Sequence, residues 1–172
     1  MIYPQPYIEY LVQFHGTRDY FECHEILEEY WKGNAEEEYA AYWVALIQVA
    51  VGQYHERRGN TLGALKMYNS SLEKLANYKQ NALGVDLRQL MQQIEDRIEE
   101  CQRPEHIFYD VNFRFVDDQL AKACYEAAEL QLLQWGQASN LQDEELIHRH
   151  TLRDRSEVVA EREQALKDKR ML

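Results

Sequence analysis

No proline falls between Tyr7 and Arg103. A proline inside a helix removes a backbone hydrogen bond and clashes with the preceding turn, so this whole stretch is free to form long helices. Glycine is scarce as well: the 172 residues hold seven glycines and three prolines, and two of the prolines, Pro4 and Pro6, precede any periodic segment. An all-β domain would need many more turn residues. With 45% hydrophobic and 28% charged residues the composition is globular, which excludes disordered, collagen-like and disulfide-framework chains.

Apolar residues recur at helical spacing in five segments, and Gly16, Gly33, Gly59 and Gly84 fall between them. The first runs from about Tyr7 to His15. The second is expected from an N-cap at Thr17 through Lys32, with Tyr20, Phe21, His24, Leu27, Glu28 and Trp31 on one face. The third, Glu36 to Arg58, is apolar nearly all round (Trp43, Leu46, Ile47, Ala50, Val51, Tyr54) and reads as the buried central helix. Its acidic start, Glu36 to Glu38, and its basic end, Arg57 and Arg58, suit the helix dipole. Asn60, directly after Gly59, caps a fourth helix expected to bury Leu62, Leu65, Tyr68, Leu72 and Leu75. The fifth follows Asp86 and carries the cleanest amphipathic period, Leu87, Leu90, Met91, Ile94, Ile98 and Cys101.

Past Pro104 the character changes. His106 to Val116 has no helical period and reads as an extended connection. Asp117 or Asp118 caps a sixth helix expected to reach Trp135, with Ala121, Cys124, Tyr125, Ala128 and Leu132 as its apolar face. Residues 142–172 are dense in charge of both signs with thin apolar support, including Val158, Val159 and Leu166. The expectation is an all-α array or bundle of about five helices plus a helical C-terminal extension. Its parts are a core, 1–103, a connection with a sixth helix, 104–141, and a charged tail, 142–172.

Nineteen basic against thirty acidic residues leave a net charge of −11. A chain this acidic repels a phosphate backbone, so nucleic acid is an unlikely partner. The most apolar run, Tyr39 to Gly52, is too short to span a bilayer, and no signal-peptide pattern opens the chain. Three cysteines, Cys23, Cys101 and Cys124, without a CxxC spacing suit a reducing compartment. The expected location is the cytoplasm, with no membrane partner.

Chemistry concentrates in the second and third helices. His24 sits in the middle of an aromatic face with Glu28 one turn later, and a carboxylate beside Phe21 and Trp31 must be paired, protonated or bound. If helices two and three pack antiparallel, His55 approaches that pair. In one reading His24, Glu28 and His55 are catalytic residues or ligands of a divalent metal, the cofactor such a set would take, with hydrolytic chemistry at an open position. Glu25, Trp31, Gln48, Arg58 and Asn60 would then line a small polar ligand. In the second, His24 and Glu28 are a structural pair orienting two helices. HExxE is not the HExxH of zinc proteases. A third reading is a non-catalytic scaffold whose tail, 142–172, docks on a protein partner or a second copy.

The stretches DYFECHEILEEYW (19–31) and WVALIQVAVGQYHERRGNTLGALKM (43–67) resemble the bacterial domain of unknown function 309 family. The matching positions are Phe21, Glu22, His24, Glu25, Glu28 and Trp31, then Gln48, Gly52, Tyr54, His55, Arg58, Gly59, Asn60, Gly63 and Ala64. Residues 150–162 are similar to an extension seen in Bacillus-type members. The resemblance implies about five helices, a cytosolic bacterial protein and the His24/Glu28/His55 grouping. It implies no reaction.

Overall fold

The computed structural model describes residues 2–152 and 156–171, with the side chains of 156–161 outside that set. The fold is all-α. The first four helices are α1 (Gln5–Gly16), α2 (Tyr20–Gly33), α3 (Ala40–Arg57) and α4 (Thr61–Leu75). They are followed by α5 (Leu87–Cys101), α6 (Asp118–Leu130), α7 (Glu144–Ile147), α8 (Arg149–Leu152) and α9 (Ser156–Arg170). Among the described residues no helix is long and apolar enough to cross a membrane.

Helix α3 is the hub, packing against α2 and α4. Tyr30 meets Trp43 at 5.5 Å and Phe21 meets Tyr54 at 6.0 Å, so α2 and α3 are antiparallel. Fully buried Tyr7, Tyr10, Leu11, Tyr42, Trp43 and Leu46 fill the space between α1 and α3. The Tyr10 hydroxyl donates to the Leu46 carbonyl at 2.7 Å, which gives a buried polar tip a partner. Gly52 lets α4 approach: a Cβ there would lie 2.5 Å from the Tyr68 ring.

Several local details depart from the sequence reading. The cap of α2 is Asp19, whose side chain accepts from the Glu22 N–H, because Thr17 bonds back to the Gln13 carbonyl and closes α1. Arg18 between them takes φ 58°, which turns the chain. Glu36 to Glu38 lie in turns before α3, so no acid stands in its first turn. Leu62 is 80% exposed, because the buried stripe of α4 runs through Ala64, Tyr68, Ser71 and Leu75 and leaves Leu62 on another face. Helix α6 ends at Leu130, and Leu132, at φ 58°, points into solvent rather than toward the core. Val158 and Val159 lie outside the described side chains.

Residues 106–116 run extended across the core, with one isolated bridge between Val85 and Phe115. A buried extended segment must find partners for its peptide groups. Here polar side chains of the helices, with Arg18 of the α1–α2 turn, supply many of them. Phe113 N–H donates to His15 Nε2 at 2.9 Å, and Val111 N–H donates to Gln53 Oε1 at 2.7 Å. Arg18 Nη1 donates to the Val111 carbonyl at 3.0 Å, and Arg97 Nη1 to the Ile107 carbonyl at 3.1 Å. Gln93 pairs with both backbone groups of Asn112, at 2.6 and 3.0 Å.

Candidate functional site

The structure divides the residues singled out in the sequence into separate places. On α2, His24 Nε2 lies 3.0 Å from Glu28 Oε2, and Lys32 Nζ lies 3.5 Å from the other carboxylate oxygen. Burial lowers the His24 pKa and the Glu28 charge opposes it. His24 Nδ1 is buried and has no hydrogen-bond partner. Glu25 is half-buried on the same helix, and half-buried Trp31 packs on the core. Gln48 turns the other way, linking α3 to α4 through Ser70 at 3.0 Å and Lys74 at 3.1 Å.

The second place is the α3–α4 corner. His55 Nδ1 faces Arg58 Nη2 at 3.4 Å and Asn60 Nδ2 at 3.3 Å. Both neighbours are donors, so Nδ1 is the acceptor and the neutral ring carries its proton on Nε2. Between this corner and the His24–Glu28 pair stand aromatic rings: Phe21 is 5.8 Å from His24 and 6.0 Å from Tyr54, which is 6.0 Å from His55. His150 of α8 bonds the Tyr54 hydroxyl and faces the Phe21 ring at 6.3 Å.

Among the described residues one group of three potential metal ligands has its donor atoms within 4.8 Å of one another: Glu56, Cys101 and His106. It does not fit a cation. Glu56 Oε2 already accepts from Arg97 Nη1 at 3.0 Å and His106 Nε2 at 2.9 Å, and Oε1 accepts from the Tyr68 hydroxyl at 2.9 Å. The Arg97 guanidinium thus holds the position a metal would need. Burial pushes the Cys101 thiol up to about 12, and the nearby Glu56 carboxylate adds to it, away from the thiolate that ligates metals. This cluster is a structural ion pair, and Tyr68 also accepts from Gln53 Nε2 at 2.8 Å.

The sequence alone did not point to His15, Arg18, Gln53, Glu56 or Arg97 as site residues and marked Arg57 only as part of the basic end of the third helix; all six are buried. Arg18 spends Nε, Nη1 and Nη2 on Gln137, Val111 and Asn112. Arg57 donates to the carbonyls of Arg18 and Leu146 and stacks 4.6 Å from the Tyr20 ring centre. Gln53 and Glu56 carried a signal, as polar residues on a helix that is apolar nearly all round. An open groove of about 590 Å³ between α1 and α2, lined in part by Pro6, Glu9, Ile26 and Tyr30, includes none of the candidate residues.

An all-α core with an HExxE helix against an apolar helix ending in a YHxxRGN turn defines a recognisable class. The family model for a domain of unknown function, DUF309, matches residues 7–67, and the chain belongs to that family. Among its relatives, the uncharacterized protein YpuF of Bacillus subtilis is 43% identical over 170 residues, 96% of this chain and 95% of that one. An uncharacterized protein of Aquifex aeolicus is 27% identical over 98 residues, 56% of this chain and 29% of that protein. No solved structure matches.

Proposed function

We propose that this chain is a non-catalytic helical scaffold of the bacterial cytoplasm that presents its C-terminal helix to a protein partner. The observation that carries the reading is the contrast between the root of the tail and its end. Leu146 and Ile147 are buried, Arg57 donates to the Leu146 carbonyl at 3.2 Å, and Arg149 pairs with Asp19 at 3.3 Å. Residues 162–171 are exposed throughout, including Leu166 at 57% and Met171 at 86%. A helical stretch whose described side chains, 162–171, are all exposed is marginal alone and gains stability by docking.

The test compares the full chain with one lacking residues 156–172, each tagged at its N-terminus and recovered from its own host. Matching thermal melts establish that the core is intact in both. The reading expects a reproducible partner, confirmed by binding of the purified pair, that is lost with the tail. Equal recovery with and without the tail contradicts it.

A second reading, favoured by the unpartnered Nδ1 of His24, makes His24, Glu28 and their surroundings a site for a small polar ligand or divalent metal, with hydrolytic chemistry. Metal content and ligand-induced stabilisation of untagged wild type and His24→Ala decide it: a difference between the two supports this reading, and equal, negligible values dismiss it.

A further inference from the structure

The α3–α4 corner carries a positive charge that the fold does not neutralise. Arg58 forms no ion pair with any carboxylate among the described residues, although the chain carries eleven more acidic than basic side chains. Its guanidinium is half-buried, held 5.6 Å from the Tyr54 ring centre and 3.4 Å from His55 Nδ1, and its buried Nε has no partner. Asn60 spends its Oδ1 on the Gly63 N–H at 3.0 Å, capping α4, and turns its amide nitrogen toward His55. Burial lowers the His55 pKa, and Arg58 and His150 act in the same direction. Gly59, at φ 88°, makes the turn between the helices, and a Cβ built on it would meet none of the described atoms within 4 Å.

An arginine that no described carboxylate neutralises, beside an imidazole and a carboxamide at the exposed Gly59 turn, is a donor set for an oxyanion: the guanidinium fork binds two oxygens and the other groups complete the shell. We propose that Arg58, His55 and Asn60 form a binding site for the phosphate group of a small soluble ligand. The site is independent of the scaffold reading, because it lies on the family core and does not involve residues 156–171.

The test is a titration of the full chain with inorganic phosphate at constant ionic strength, sodium chloride serving as the matched control, with the His55 imidazole followed by NMR. Saturable shifts at His55, with an apparent pKa that rises on binding, are expected in wild type. Arg58→Gln should weaken binding at least tenfold, and Arg58→Lys, which keeps the charge and loses the fork, should weaken it less. Thermal melts check that both variants fold. The proposal is overturned if phosphate shifts all histidines alike, as a general ionic effect would, or if Arg58→Gln binds as wild type does.

Discussion

His15 Nε2 accepts the Phe113 N–H at 2.9 Å across 98 residues of sequence, while His15 Nδ1 bonds the Leu11 carbonyl at 2.8 Å. The two partners fix the ring as the neutral Nδ1–H tautomer, since a protonated Nε2 would leave the Phe113 N–H facing a donor. The ring also stacks on Trp135 at 4.4 Å. One side chain thus joins α1, the extended segment and the stretch after α6.

A pH dependence follows from that bond. Burial, aided by Arg18, lowers the His15 pKa to about 3, whereas an unfolded histidine titrates near 6.5. Between these values the unfolded chain binds the extra proton, so stability is complete above about pH 6.5 and falls as pH drops toward 3. The slope is about 1.4 kcal/mol per pH unit, and the whole effect is on the order of 5 kcal/mol. Urea unfolding at pH 7, 5.5 and 4.5 measures it. His15→Leu should be less stable at pH 7, with the Phe113 N–H unsatisfied, and should lose this part of the slope.

Removing Glu56 should loosen the chain at the start of the extended segment. Its carboxylate is fully buried and holds Arg97, His106 and Tyr68 together. Glu56→Ala strands the Arg97 charge and is expected to cost about 3–5 kcal/mol in denaturant unfolding. Glu56→Gln keeps hydrogen-bonding capacity without the charge and should cost less.

Gly52 tests the α3–α4 contact. A Cβ there meets the buried Tyr68 ring, which is anchored by Gln53 and Glu56 and has little room to retreat. Gly52→Ala is expected to cost about 1–3 kcal/mol despite the better helix propensity of alanine, as read by thermal or urea unfolding.

The His24–Glu28 pair should contribute little to stability. Their side chains are 27% and 35% exposed, and Lys32 remains to Glu28 when His24 is removed. His24→Ala is expected to change stability by no more than about 1 kcal/mol, a value typical of partly solvated pairs.

The helices were legible in the sequence because their apolar periods and caps are local: Asn60 caps α4 as expected, Asp117, one of two candidates, caps α6, and α5 starts directly after Asp86, which caps it. Thr17 was misleading because two cap-forming residues stand two positions apart, and the positive φ of Arg18 decides between them. Contacts within one or two turns, His24 with Glu28 and His55 with Arg58 and Asn60, were equally readable. The Glu56 cluster was not, since Arg97 and His106 lie 41 and 50 residues away in sequence. The route of residues 106–116 depends on side chains of α1, α3 and α5 and on Arg18 of the α1–α2 turn, which no spacing rule joins.

Four buried polar side chains, His15, Arg18, Gln53 and Arg97, hydrogen-bond the backbone of residues 106–116 and hold that segment on the core. Hydrogen exchange at the Val111 and Phe113 amides tests it most directly, because both lie in an extended segment with no strand partner for these groups. Slow exchange is expected at both amides in wild type. Protection should be lost at Phe113 in His15→Leu and at Val111 in Gln53→Ala, under conditions where the helices stay protected. Fast exchange at these amides in the wild-type chain would contradict it.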